Sequence, residues 1–198
     1  MKQKRDLIKR VVIATMLLAV APFLMVGIDK SQAQSYSISA SEESIDSKVN
    51  SSSGSSPMKM VALTFDDGPD RTYTEAVLDV LKEHNVKGTF FVIGEQVKQY
   101  PDTMQRMVRE GHEVGNHSWS HPHLTKLSKE KIHNELANTD KVIREISGVT
   151  PRLMRPPYGA TSAQVKKEIQ AAGHVQALWD VDTWDWKSPS VAEILKAV

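Results

Sequence analysis

Two adjacent carboxylates, Asp66 and Asp67, stand in the stretch Thr64-Phe65-Asp66-Asp67-Gly68-Pro69. Neighbouring carboxylates repel, so leaving both ionised in a cleft favours a cation beside them. The same six residues also suit a surface turn, where Asp, Gly and Pro are the commonest types. Further on, His117-Ser118-Trp119-Ser120-His121 sets two imidazoles at i and i+4, from which both can face one cation. Such a pair is often incidental, but two imidazoles suit zinc or another borderline divalent metal. Joined to Asp67 they make a facial Asp-His-His set with open positions, as catalytic rather than structural sites need. His123 lies beyond Pro122, which breaks the spacing, and is left outside the set. His84, His112, His133 and His174 read most simply as helix-end or surface histidines.

Two further stretches bear chemistry. In Arg155-Pro156-Pro157-Tyr158-Gly159 an arginine can pair with a carboxylate, and two prolines stiffen a loop that could aim the Tyr158 N–H at a developing oxyanion. A rigid connector with a surface arginine would look the same. Asp182-Thr183-Trp184-Asp185-Trp186 combines rings on which sugar faces can stack with acids that can bond hydroxyls; tryptophans in an apolar context are otherwise core.

These stretches need elements to position them, and the order of apolar runs supplies such elements. Met58–Leu63 has a strand's length, which puts the two aspartates at a strand end before Gly68-Pro69 stops it. Thr74 can cap a helix running to His84 with Asn85 as its stop, and Gly88–Gly94 reads as a buried strand. A helix through Met104, Met107 and Val108 ends at Glu110-Gly111, and His112–Gly115 reads as a third strand. Ser128 opens a long helix striped by Ile132, Leu136, Thr139, Ile143 and Ile146, closed by Gly148. Leu153–Arg155, a helix at Val165–Ala172, a strand at Val175–Val181 and a helix from Ser190 complete the order. Regular βα alternation predicts an α/β fold with a parallel sheet, open or closed into a barrel. In such sheets ligands bind at the strands' C-terminal ends, where all four stretches fall.

Taken together, Thr64–Pro69, His117–His121, Arg155–Tyr158 and Asp182–Trp186 resemble, in order and spacing, the first four motifs of the polysaccharide deacetylases (carbohydrate esterase family four, the NodB-homology domain). The resemblance runs from Met58 to the end. It implies a distorted, incomplete (β/α) barrel that removes acetyl groups from polysaccharides with a divalent metal, zinc first, with cobalt, nickel, manganese or iron as alternatives. By the same resemblance Asp66 is the general base activating water, and Asp67, His117 and His121 are the metal ligands. Arg155 supports the base, Tyr158 supplies the oxyanion N–H, and Asp185 is an acid of the catalytic groove. Pro157, Tyr158 and Trp186 line the substrate. The family also ends with an apolar strand carrying a His-Asp pair, whose histidine protonates the leaving group. That motif is missing here, which predicts a C-terminally incomplete domain lacking its last strands, with a rate cost of about a hundred- to ten-thousand-fold if no other acid serves.

The totals narrow the classes. Lys+Arg number 25 and Asp+Glu 24 in 198 residues, with no cysteine. Without residues 1–33, the remainder holds 19 basic and 22 acidic residues, unlike the clustered basic surface of a nucleic-acid binder. Disulfides and Cys-ligated zinc are excluded. Five basic residues in 1–10, followed by Val11–Ile28 without a charge, predict a signal peptide or N-terminal membrane anchor over 1–33, with cleavage after Ala33 or a tether through 11–28. Residues 34–57 are Ser-rich, read as a flexible linker, and 58–198 form the deacetylase domain. The expected role is a secreted or anchored envelope enzyme removing N-acetyl groups from peptidoglycan or chitin-type N-acetylglucosamine. The alternatives are a glycan-binding relative without turnover, and an O-deacetylase such as an acetylxylan esterase.

Overall fold

The structure, a computed structural model, describes residues 60–187 and 190–197. The segments read as leader and linker lie outside the described residues. Among the described residues, no helix is long and apolar enough to cross a membrane.

Five strands form one parallel sheet: β1 (Thr64–Gly68), β2 (Thr89–Val92), β3 (Glu113–Asn116), β4 (Leu153–Met154) and β5 (Val175–Gln176). Their spatial order equals their sequence order. Every crossover therefore advances in one direction, as in a (β/α) barrel, and there is no reversal of the kind that opens a doubly wound sheet. Among the described residues the sheet is not closed, and its five strands follow the order of a (β/α) barrel.

The helices are α1 (Tyr73–Glu83), α2 (Gly94–Gln99), α3 (Pro101–Arg109), α4 (Lys129–Ser147), α5 (Ala163–Ala171) and α6 (Val191–Ala197). Side chains alternate along each strand, so Phe90, Val92 and Val114 face the helices. There they bury with Leu78, Leu81, Met104, Met107 and Ile143. A second cluster joins Leu124, Ile132, Leu136, Met154, Val165 and Ile169. Each such side chain, removed from water, contributes about 1.5–3 kcal/mol. The Ser128 hydroxyl accepts from the Lys131 N–H, and Gly148 ends α4 at φ 74°, so the expected caps of this helix are present.

Three expectations are corrected. The first strand starts at Thr64 and itself carries both aspartates; Met60 and Val61 are 87% and 73% exposed, because pairing begins only where Thr64 meets Thr89. Thr74 does not cap α1. The Asp70 carboxylate does, accepting from the N–H groups of Thr72, Tyr73 and Thr74 at 2.6, 2.6 and 3.1 Å. The fifth strand is only Val175–Gln176: the Ala177 N–H still donates to the Met154 carbonyl at 2.9 Å, but the ladder with β4 goes no further.

Candidate active site at the strand ends

Strand register fixes the site. Gly68 pairs with Val92, Val92 with Asn116, and Asn116 with Met154. Hence Asp67, His117 and Arg155, each beside one of these residues, gather on one arc at the C-terminal rim. The register shifts between Asp66 and Gly68, which makes Asp67 a bulged residue at φ 69°. Six non-glycine residues among those described have positive φ. Four of them, Asp67, Ser118, His121 and Tyr158, surround this site, so the chain concentrates its backbone strain here.

The residues on the sheet's other face hold the arginine. Gly115 has no room for a side chain, because a Cβ there would lie 2.5 Å from the Phe91 ring. Phe91 in turn lies under the Arg155 guanidinium, 4.1 Å from ring centroid to Cζ, with Trp179 at 5.4 Å. Arg155 is 4% exposed. Its Nη1 donates to Asp66 Oδ1 at 2.7 Å and Thr64 Oγ1 at 3.0 Å, and Nη2 donates to the Leu178 carbonyl at 2.9 Å. The guanidinium thus fixes Asp66 in orientation while leaving Oδ2 directed towards His117, whose Nε2 is 3.9 Å away.

Asp67, His117 and His121 converge. Asp67 Oδ1 lies 3.4 Å from His117 Nε2 and 3.2 Å from His121 Nε2. Ligand atoms about 2.0–2.2 Å from one cation, at tetrahedral or octahedral angles, stand about 2.8–3.6 Å apart, so these separations fit a metal. His117 Nδ1 is 2.6 Å from the Arg155 carbonyl. Donation of Nδ1–H to that oxygen leaves the Nε2 lone pair for a cation, the arrangement in which ligating histidines are usually held. Hydrogen bonding to His117, and the imidazole charges when those rings are protonated, hold the Asp67 carboxyl below its ordinary pKa against partial burial. Burial, opposed by the nearby Asp67 carboxylate, leaves His121 below the usual histidine value, which favours the neutral form a ligand needs. The chemistry of this donor set, two imidazoles and a carboxylate with part of the sphere open, suits a catalytic divalent ion.

Tyr158 sits in a 3-10 turn, Pro157–Gly159, at φ 61°, with its ring edge-on to His121 and its hydroxyl 3.4 Å from the His121 carbonyl. His123, set aside at the sequence level, stacks on that ring with centroids 4.0 Å apart. No periodicity signals this contact, since it depends on where Pro122 sends the chain. Asp185 and Trp186 stand apart: both are exposed, the Trp184 and Trp186 rings are 5.5 Å apart, and Asp185 Oδ1 accepts from the Thr183 hydroxyl at 2.9 Å. His112 and His174, read as helix-end or surface residues, do follow the ends of α3 and α5 but are buried. His112 Nδ1 accepts from the Gly88 N–H, and His174 Nε2 lies 2.9 Å from Asp140 Oδ2.

Comparison with known proteins agrees with this architecture. The family model described as "Polysaccharide deacetylase" matches residues 53–177, and the chain belongs to that family. The stretch Asp182–Trp186 lies past the matched residues. A peptidoglycan-N-acetylglucosamine deacetylase of Listeria monocytogenes is 49% identical over 140 residues, 71% of this chain and 29% of that protein. The chain thus spans less than a third of that relative's length. The solved structure of peptidoglycan deacetylase PdaC from Bacillus subtilis is 46% identical with a TM-score of 0.65, covering 69% of this chain and 66% of the other. The structure of BA3943 from Bacillus anthracis, described as a CE4 family pseudoenzyme, is 33% identical with a TM-score of 0.66, covering 71% and 51%.

Proposed function

We propose that this chain is a metal-dependent deacetylase of the cell envelope, hydrolysing the acetamido groups of peptidoglycan, with N-acetylglucosamine as the sugar. The observation that carries the reading is the pairing of Asp66 with Arg155 immediately beside the converging Asp67, His117 and His121. The Listeria and Bacillus relatives, named for peptidoglycan, support the substrate class.

Asp67, His117 and His121 would hold the ion, zinc first. Bound there, a divalent cation supplies Lewis-acid polarisation of the acetyl carbonyl and a lowered pKa for the attacking water. Asp66, oriented by Arg155, takes the proton of the water whose oxygen bonds to the carbonyl carbon. The turn at Pro157–Gly159 directs the Tyr158 N–H to the oxygen on which charge develops. The C–N bond then breaks, the nitrogen takes up the proton that Asp66 received, and acetate and a free amine leave. Asp185 and Trp186, exposed and outside this cluster of contacts, would serve as acid and aromatic wall of the groove only by the family resemblance. Residues 1–33 act as export signal or anchor and 34–57 as a tether, which sets residues 58–198 on the outer face of the cytoplasmic membrane.

A second reading, a glycan-binding relative without turnover, is favoured by the likeness to a CE4 family pseudoenzyme. Mass spectrometry of muropeptides and of chitooligosaccharides incubated with the full chain and zinc separates the two. Loss of one acetyl group from the glucosamine of muropeptides is the expected result. Loss from muramic acid would correct the sugar, and loss only from acetylxylan would replace N- by O-deacetylation. Binding of glycan with every acetyl group retained would establish the second reading.

A further inference from the structure

The turn between the two histidines is not a conformation the free chain would hold. Ser118 and His121 both lie in the left-handed region, at φ 69° and 57°. Two elements fix it from opposite sides. The Ser118 and Trp119 carbonyls accept from the Gly94 and Glu95 N–H groups of α2 at 3.0 and 3.1 Å. On the other side, the N–H groups of Trp119 and Ser120 both donate to one oxygen, Glu135 Oε2, at 2.8 and 2.9 Å. The Ser120 hydroxyl donates to Oε1 of the same carboxylate at 2.9 Å. Glu135 belongs to α4, whose backbone is anchored by a cap at each end and by a buried stripe.

Successive N–H groups directed at one point form a small anion-binding concavity, and a carboxylate is its strongest side-chain acceptor. Without that acceptor the two N–H groups would be free to turn towards water, and the left-handed residues on either side would relax. That backbone sets the spacing of His117 and His121, while the Arg155 carbonyl orients the first ring and Tyr158 packs on the second.

We propose that Glu135 is the positioning residue of the metal site: by binding both N–H groups between the histidines, it holds His117 and His121 at the separation at which they meet Asp67. The proposal rests on reading Asp67, His117 and His121 as metal ligands. Glu135 touches neither ion nor substrate; it acts through the turn.

The test is the zinc dissociation constant of the full chain, measured by competition with a chromophoric chelator, together with the absorption spectrum of the cobalt(II)-loaded protein. Glu135→Ala is expected to weaken zinc binding by about 10- to 100-fold, the usual effect of removing a group that orients metal ligands, and to alter the cobalt bands. Glu135→Gln, whose carbonyl can accept both N–H bonds while its amide donates to the Ser120 hydroxyl, is expected to stay within about threefold of wild type. Glu135→Asp keeps the charge but is one methylene short, and should behave like the alanine variant. A residue that only supported folding would lower the melting temperature of the metal-free protein and leave the affinity of the folded form unchanged. Glu135→Asp and Glu135→Ala that bind zinc as wild type does, with the same cobalt spectrum, would overturn the inference alone. If the alanine variant does not fold, the contrast between Asp and Gln decides. A wild-type chain that takes up no zinc would overturn the site reading, and this inference with it.

Discussion

Replacing Arg155 with methionine keeps the unbranched stem and removes the guanidinium. Three hydrogen bonds disappear, to Asp66 Oδ1, Thr64 Oγ1 and the Leu178 carbonyl. The charge-assisted bond to Asp66 contributes about 1.5–3 kcal/mol, and the other two about 0.5–1.5 kcal/mol each. An orphaned, fully buried charge would cost about 3–5 kcal/mol, but the Asp66 side chain is 31% exposed, so water can rehydrate it and the cost falls below that range. Methionine recovers part of the loss by packing between Phe91 and Trp179, worth about 1 kcal/mol. The expected net destabilisation is about 1.5–5 kcal/mol. Equilibrium urea unfolding of the full chain, followed by tryptophan fluorescence with chelator present to remove any stabilisation by metal, measures it. A double-mutant cycle with Asp66→Asn isolates the pair and should return a coupling of about 1–2 kcal/mol. An Arg155→Met protein within about 0.5 kcal/mol of wild type, or two substitutions whose effects simply add, would refute the claim that this arginine holds Asp66 in place.

Two other substitutions probe the frame around the site. Burial works to raise the Asp70 carboxyl, but the N–H bonds from Tyr73, Thr72 and Thr74 prevail and its folded pKa lies below the ordinary value. Its contribution is therefore complete above the unfolded carboxylate pKa of about 4 and fades as pH falls below it. Asp70→Ala should cost about 1–2 kcal/mol at neutral pH and much less at about pH 3; equal losses at both would show that the cap contributes through packing alone. In Gly94→Ala, the new methyl would lie 2.4 Å from Trp119 Cε3 and 2.9 Å from Thr139 Oγ1. The indole must shift, which is expected to cost about 1–3 kcal/mol in thermal unfolding; an unchanged melting temperature would mean that Trp119 moves freely.

What the sequence made legible were the features written locally. Ser128 and Gly148 bound the long helix because caps act within a few residues, and Gly88 and Gly94 bracket the second strand for the same reason. Asp67 and His117 could be grouped because each lies next to the end of a strand, and His121 because it stands four residues after His117. Strand limits were less legible, since the pairing partner and not the apolar run decides them. Met60 and Val61 are as strand-like as Phe90 and Phe91 yet face water, and Leu178 and Val181 follow β5 without pairing. The supporting groups were invisible for a related reason. Glu135 looks like any polar residue of an amphipathic helix until α4 packs across the rim. Asn116 Nδ2 reaches Asp140 at 2.8 Å, and Asp140 reaches His174 at 2.9 Å, through contacts that join residues far apart in the chain. His174, for which no short-range pattern exists, is buried by that network rather than lying at the surface.

The central claim is that Asp66 does proton chemistry beside an ion held by Asp67, His117 and His121. The most direct measurement is acetate release from peptidoglycan by the full chain after metal removal and after zinc is restored, for wild type and Asp66→Asn side by side with their zinc content. The account predicts no acetate from the stripped protein, release on adding zinc, and an Asp66→Asn variant that binds zinc in equal amount yet releases acetate at least about a hundredfold more slowly. Acetate release by the stripped protein, or by Asp66→Asn at the wild-type rate, would contradict it.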